Sequence, residues 1–161
     1  MKTNNYFFYI ATCILSLFVL TSCDKDDESN DTTFPEIELL APAEGAHLQI
    51  GKSIHFEANF SDDIMLGTYK IEIHHNFDDH GHDSKSGMGS LDEKGRFRYQ
   101  GTWSLEGQRN KHEHHHDITI PAGAAEGKYH LMVYCTDKAG NESYIARSII
   151  LTNEEVEDHD H

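Results

Sequence analysis

Residues 126–141 read EGKYHLMVYCTDKAGN and carry the clearest structural pattern in the chain. Apolar side chains occupy every second position, at Tyr129, Leu131, Val133 and Cys135. One face of an extended strand is therefore apolar and suited to burial. The residues that follow, 137–141, are rich in turn formers, because Asp and Asn bond to nearby backbone and Gly tolerates a positive φ. The segment therefore predicts a half-buried strand that ends in a tight turn, with Cys135 as a buried, inert thiol.

The same period-two alternation continues on both sides of this segment. Seven strands are predicted, around residues 37–39, 54–60, 69–73, 97–103, 118–120, 129–135 and 144–151. Helical periodicity is absent between Phe34 and Thr152. Seven short strands within one domain-sized segment predict a β-sandwich that spans residues 34–152.

The N-terminal segment is predicted to be a targeting signal rather than part of the folded domain. Lys2 precedes an apolar run from Tyr6 to Leu20, which is too short to cross a bilayer comfortably. Residues 1–22 are therefore predicted to be a cleaved signal peptide, with a transmembrane anchor as the alternative. Leu20-Thr21-Ser22-Cys23 resembles the lipobox of bacterial lipoproteins, which implies that Cys23 is lipidated and becomes the first mature residue.

Polar, acidic segments flank the predicted domain. Residues 23–33 offer no apolar core and are predicted to be a lipidated, disordered acidic linker, and residues 153–161 to be a disordered acidic tail containing histidine. The acidic cluster after Cys23 resembles the surface-export signal of Bacteroidota lipoproteins. This resemblance implies a lipid anchor in the outer membrane with the domain exposed at the cell surface, and the periplasmic face is the alternative.

The strand and turn at 126–141, with its Gly-x-Tyr start and Asp-x-Ala-Gly-Asn turn, resembles the penultimate strand of bacterial immunoglobulin-like domains. Residues 35–45 and 61–66 fit the opening strands of that family. As a whole, the chain resembles a family of Bacteroidota lipoproteins that combine one such domain with histidine-rich inserts and that are catalogued as a domain of unknown function. The resemblance implies a seven-stranded immunoglobulin-like β-sandwich and assigns no activity.

The charge balance excludes nucleic acid as a partner and favours cations. The chain has 13 Lys and Arg residues against 28 Asp and Glu, for a net charge of −15, which repels a phosphate backbone. It also contains 13 histidines, an unusual number that indicates metal or pH chemistry.

Histidines crowd into two windows, residues 74–82 and 112–116. Imidazole is a good ligand for Zn and Cu, and alternate positions of a strand place rings on one side. The predicted ligands of a Zn or Cu ion are His74, His75, His80, His82, His112, His114 and His116. The last three share parity with Ile118 and Ile120, which predicts that they lie on the same side of their strand. The sequence is compatible with one metal site that both windows share and with two separate sites.

A solvated polar segment that chelates metal only fortuitously is the alternative for these windows, because no Cys-x-x-Cys or His-Glu-x-x-His pattern is present. His47, His55 and His130 stand singly and are interpreted as surface residues. The acidic turns suggest a second kind of ion: Asp62 and Asp63, with Asp137 and Asn141 at the same pole, are candidate Ca²⁺ ligands. Ordinary turn hydrogen bonding is the alternative for these four residues.

Three classes of function follow from these patterns. The leading hypothesis is a surface-tethered lipoprotein, anchored to the membrane by its lipid, that binds Zn or Cu for capture, buffering or delivery to an outer-membrane receptor. The alternative is an adhesion or glycan-binding module, stabilised by calcium, in which Tyr134, Tyr99 or Trp103 stacks on sugars and metal chelation is incidental. An enzyme is not expected, because the sequence shows no nucleophile elbow, triad or matched pair of catalytic carboxylates.

Overall fold

A computed structural model describes residues 31–76 and 89–156 of the chain. In these two ranges the protein consists of strands and turns, and no helix there is long and apolar enough to cross a membrane. The strands are β1 (Glu36–Ala41), β2 (Ala46–Gln49), β3 (Ser53–Ser61), β4 (Leu66–His75), β5 (Ser90–Leu91), β6 (Phe97–Ser104), β7 (Asn110–Thr119), β8 (Gly127–Asp137) and β9 (Glu142–Thr152). The predicted signal peptide, Cys23, His80, His82 and residues 157–161 lie outside the described residues.

The strands form two sheets that enclose one core. The larger sheet has the order β2-β9-β8-β4-β6-β5 and the smaller one the order β1-β3-β7. Strand β2 pairs with β9 in parallel, whereas β1–β3, β3–β7, β4–β6, β4–β8 and β8–β9 are antiparallel. The predicted immunoglobulin-like β-sandwich is confirmed. The described part of the chain has nine strands rather than seven, because the short strands β2 and β5 were not predicted.

Alternation along the strands builds the core, as the sequence predicts. On β3 the buried residues are Ile54, Phe56, Ala58 and Phe60, and the residues between them face outward. On β8 the apolar residues of the buried face end at Cys135, which is fully buried, and burial raises the pKa of its thiol to about 12. Cys135 is therefore a protonated core residue at neutral pH.

A buried tyrosine hydroxyl ties the start of β8 to its surroundings. The Tyr129 hydroxyl donates to the carbonyl oxygen of Ala125, at 2.8 Å, and accepts from the backbone N–H of Phe97, at 3.2 Å. The first bond closes the turn before β8, and the second joins this turn to β6. This arrangement is the tyrosine corner of immunoglobulin-like domains. The Gly-x-Tyr sequence of residues 127–129 places the tyrosine at this point of the strand.

A bulge in the β3–β7 pairing decides which way the histidines of β7 face. Ile54 pairs with Ile118, but Phe56 pairs with His115, so that one residue of β3 opposes two of β7. The extra residue reverses the alternation. The even-numbered histidines 112–116 are therefore exposed while Ile118 is buried, and the prediction that they share a side with Ile118 and Ile120 is wrong.

Candidate metal centre

Three imidazoles meet on the outer face of the three-stranded sheet. His55 lies on β3, and His114 and His116 lie on β7, with potential ligand atoms all within 4.8 Å of one another. The ring centroids are 4.8 Å apart for His55 and His114, 5.1 Å for His55 and His116, and 5.4 Å for His114 and His116. We call these residues the three-histidine group.

Strand pairing explains why these particular histidines converge. His114 and His116 are two positions apart on β7, so that their side chains leave the same face. His55 lies on the neighbouring strand, opposite the bulge, and its ring is near both of them. Two of the predicted ligands, His114 and His116, are thus brought together, and the third is a residue that the sequence predicted to be merely outward-facing.

The group needs only a small contraction to hold an ion. Three imidazole nitrogens bound to Zn²⁺ at about 2.0–2.1 Å in tetrahedral geometry are about 3.3 Å from one another. The present spread of up to 4.8 Å must therefore close by about 1.5 Å at its widest. His114 and His116 are solvent-exposed, so that rotation of their side chains can provide this movement without disturbing the core.

A chain of polar contacts continues along the same face toward His112. Oε2 of Glu57 lies 3.6 Å from Nε2 of His55, and Oε1 of Glu57 lies 3.5 Å from Nε2 of His112. Nδ1 of His112 is 2.8 Å from Oδ1 of Asn59, whose amide nitrogen donates to Glu38 at 2.8 Å. The predicted ligand His112 is thus a neighbour of the three-histidine group rather than one of its members.

His115 lies on the opposite face of β7 and packs against the core. Its ring packs at 4.9 Å from Phe56, 6.4 Å from Tyr69 and 5.0 Å from Trp103, measured between centroids. Burial is the main cause that lowers the pKa of His115, which keeps its ring neutral. His115 therefore lies in the second histidine window of the sequence but is not a member of the three-histidine group.

The two described histidines of the first window, His74 and His75, lie on the other sheet. His74 of β4 is paired directly with His130 of β8, and the two rings are perpendicular with centroids 5.6 Å apart. His75 is the last residue of β4 and is paired with Tyr129. Among the residues that the structure describes, the two windows therefore do not converge. Of the histidines interpreted as single surface residues, His47 is exposed and His130 is half-buried against His74.

The candidate calcium ligands separate into two kinds of contact. Asp62 and Asp63 have carboxylate oxygens within 4.8 Å of those of Asp31, which enters from the linker. Asp137 instead accepts from the backbone N–H of Gly140, at 2.6 Å, and of Asn141, at 2.8 Å. These bonds close the β8–β9 turn, so turn chemistry accounts for Asp137 and Asn141. The four predicted residues do not form one ligand group.

Sequence reasoning missed His55 and Glu57 as site residues. The alternation of β3 indicated that both face outward, and that part of the prediction is confirmed. The missing information was that β3 pairs with β7, which lies far away in the chain. The crowded histidines on the partner strand were the available signal, but periodicity does not say which strand lies beside them.

One family model matches most of the chain, and solved structures with a similar fold are known. A family model described as "Domain of unknown function (DUF4625)" matches residues 21–152. Among solved structures, the chain is similar to fibronectin(III)-like modules of CbhA from Clostridium thermocellum, with 12% sequence identity and a TM-score of 0.37 over 75% of this chain and 100% of that chain. A comparison with curated proteins finds no match.

Proposed function

The chain belongs to the DUF4625 family, whose description assigns no activity, and we propose from its own residues that it binds a divalent transition metal ion, Zn²⁺ or Cu²⁺. The observation that carries this proposal is the three-histidine group, whose potential ligand atoms lie within 4.8 Å of one another. Borderline metals such as Zn²⁺ and Cu²⁺ favour imidazole nitrogen, whereas Ca²⁺ and Mg²⁺ favour oxygen ligands.

The setting of the group favours reversible capture over a purely structural role. Three imidazoles leave a fourth coordination position that water, an incoming group or a carboxylate oxygen can occupy. His114 and His116 are exposed, so that an ion can enter from solvent and leave again. The net charge of −15 attracts cations to the surface.

The N-terminal sequence supports a location for this activity. A lipid on Cys23 would hold the domain at the outer membrane, with the acidic residues 24–33 as a tether. An exposed ion on a tethered domain is suited to buffering metal at the surface or passing it to an outer-membrane receptor. The lipid anchor, the surface location and the receptor are parts of the proposal.

Zinc and copper binding by a tagless chain of residues 24–161 tests the proposal directly. We expect His55→Ala to weaken the tightest site by more than the roughly 10–100-fold that loss of an outer-shell partner costs, because it removes a direct ligand. His47→Ala is the matched control, since it also removes one histidine from a strand. Equilibrium dialysis at pH 7.5 would measure both.

Binding that is equal in the wild-type chain and His55→Ala would refute the proposed site. Protons compete with metal for imidazole nitrogen, so that affinity should also fall as the pH is lowered through about 6.5. A chain that retains neither Zn²⁺ nor Cu²⁺ at micromolar concentration would refute the function as a whole.

An aromatic pair favours glycan binding as a second candidate function. Tyr134 of β8 and Tyr144 of β9 lie on the outer face of the six-stranded sheet with ring centroids 5.8 Å apart, and Tyr144 is 66% exposed. Lys70 places its ammonium 4.0 Å from the Tyr134 ring centroid. The other two residues predicted to stack on sugars, Tyr99 and Trp103, are partly buried and pack against the core.

A glycan array with and without chelator separates the two candidates. Sugar binding that is insensitive to chelator and lost in Tyr144→Ala would favour the aromatic face. Trp103→Phe is the matched aromatic control, because it changes a ring that is partly buried against the core. Absence of any glycan signal would remove this candidate and leave metal binding untouched.

A further inference from the structure

Glu57 stands between the three-histidine group and His112, and it contacts both sides. It follows His55 by two residues on β3 and is paired directly with His114 of β7. Each of its carboxylate oxygens faces a different imidazole: Oε2 is 3.6 Å from Nε2 of His55, and Oε1 is 3.5 Å from Nε2 of His112. An ionised carboxylate offers several lone pairs on two oxygens, so that it can bind two cations at once.

The neighbouring hydrogen bonds indicate which nitrogen of a neutral His112 ring carries the lone pair. The amide nitrogen of Asn59 donates to Glu38 at 2.8 Å, which turns its carbonyl oxygen toward Nδ1 of His112, also at 2.8 Å. A carbonyl oxygen only accepts, so Nδ1 of His112 carries hydrogen. The lone pair of the neutral ring is therefore on Nε2, the nitrogen that faces Glu57.

Two acceptor atoms then face each other across 3.5 Å, an arrangement that a cation between them stabilises. Nitrogen and oxygen ligands at about 2.0–2.1 Å from a tetrahedral ion are about 3.3 Å apart. The distance from His112 to Glu57 exceeds this value by about 0.2 Å. The distance from His55 to Glu57, 3.6 Å, exceeds it by about 0.3 Å. Both gaps are close to the edge length of a coordination shell and longer than a good hydrogen bond.

We propose that this face binds two divalent transition ions that share the carboxylate of Glu57. One ion is held by the three-histidine group with Oε2 of Glu57, and the other by Nε2 of His112 with Oε1, and solvent completes its shell. Glu38 and Asn59 orient His112 from the far side, as outer-shell partners orient metal-binding histidines. This inference rests on the proposed metal-binding function and extends it from one ion to a bridged pair.

Counting zinc ions in variants tests the pair. The tagless chain of residues 24–161 is titrated with Zn²⁺, and bound ions are counted by native mass spectrometry. Because histidines outside this face can also bind zinc, the measured quantity is the difference from wild type. We expect Glu57→Gln and His112→Ala each to bind one ion fewer than the wild-type chain. Glu36→Gln, which removes one carboxylate from the same sheet, should bind the wild-type number.

Copper loading adds a readout of ion proximity. Carboxylate-bridged ions in two-metal sites are about 3.5–4 Å apart, so that Cu²⁺ in the wild-type chain should show a spin-coupled signal in electron paramagnetic resonance. In Glu57→Gln the signal should become that of isolated Cu²⁺. Thermal unfolding of each variant without metal would show that the fold is retained.

The outcomes separate this inference from the function on which it rests. If Glu57→Gln binds as many ions as wild type, with or without weaker affinity, the bridged pair is refuted while metal binding stands. If His55→Ala loses no ion or affinity relative to wild type, the three-histidine group itself fails, and the pair fails with it. A Cu²⁺ signal without spin coupling at full loading would also overturn the pair.

Discussion

Replacing Tyr129 by Phe removes one oxygen atom from the interior and tests how much the tyrosine corner stabilises the sandwich. The ring, which is fully buried, keeps its packing in the variant. What disappears is the hydroxyl that donates to Ala125 and accepts from the N–H of Phe97. The substitution therefore isolates two hydrogen bonds from the hydrophobic contribution of the side chain.

The two bonds contribute unequally. Phe97 is fully buried, so that its N–H loses an acceptor that water cannot replace, which costs about 1–3 kcal/mol. Ala125 is half-exposed, and water can hydrate its carbonyl. Loss of the hydrogen bond to Ala125 should therefore cost an amount near the lower end of the net contribution of one hydrogen bond, which is about 0.5–1.5 kcal/mol. We expect Tyr129→Phe to lower the free energy of unfolding by about 2–3 kcal/mol. The melting temperature of a domain of this size should then fall by about 10 °C.

Urea unfolding of the metal-free chain measures this difference, and Tyr144→Phe is the control. Tyr144 is 66% exposed, and the loss of its hydroxyl should change the free energy of unfolding by less than about 0.5 kcal/mol. The denaturant dependence should be the same in both variants, since neither changes the surface exposed on unfolding. If Tyr129→Phe is as stable as Tyr144→Phe, the hydroxyl does not hold the corner and the reasoning is refuted.

Two further predictions concern stability. A Cβ on Gly67 would lie 2.7 Å from the carbonyl oxygen of Asp137 and 2.8 Å from that of Thr136. Because the Cβ clashes with backbone, the free energy of unfolding of Gly67→Ala should be about 1–3 kcal/mol lower than that of the wild-type chain. An unchanged melting temperature would contradict this. Burial, followed by the neighbouring His130, lowers the pKa of His74. The unfolded chain therefore takes up a proton at this residue at a higher pH than the folded chain does, and stability is lost as the pH falls below about 6.5. His74→Gln should reduce the difference between the free energies of unfolding at pH 7.5 and pH 5.5 without metal, and an equal difference would show that His74 does not contribute.

Much of the sandwich could be predicted because alternation is a local property. A strand with one dry face must place every second residue inward, whatever its neighbours are, and this alone puts Phe56 and Phe60 in the core and His55 and Glu57 outside. The short strands β2 and β5, four and two residues long, carry too little pattern to be recognised in the same way. Crowding of histidines was likewise visible, and it indicated imidazole chemistry before any strand was placed.

Only the tertiary structure decided which histidines meet. The pairing of β3 with β7 brings His55 beside His114 and His116, and the bulge opposite His55 turns these rings away from Ile118. Pairing between strands distant in the chain depends on how the whole core packs, and one inserted residue reverses every side chain beyond it. Such information is not contained in the spacing of residues along either strand, so the sequence indicated His114 and His116 as ligands but only the fold added His55 to them.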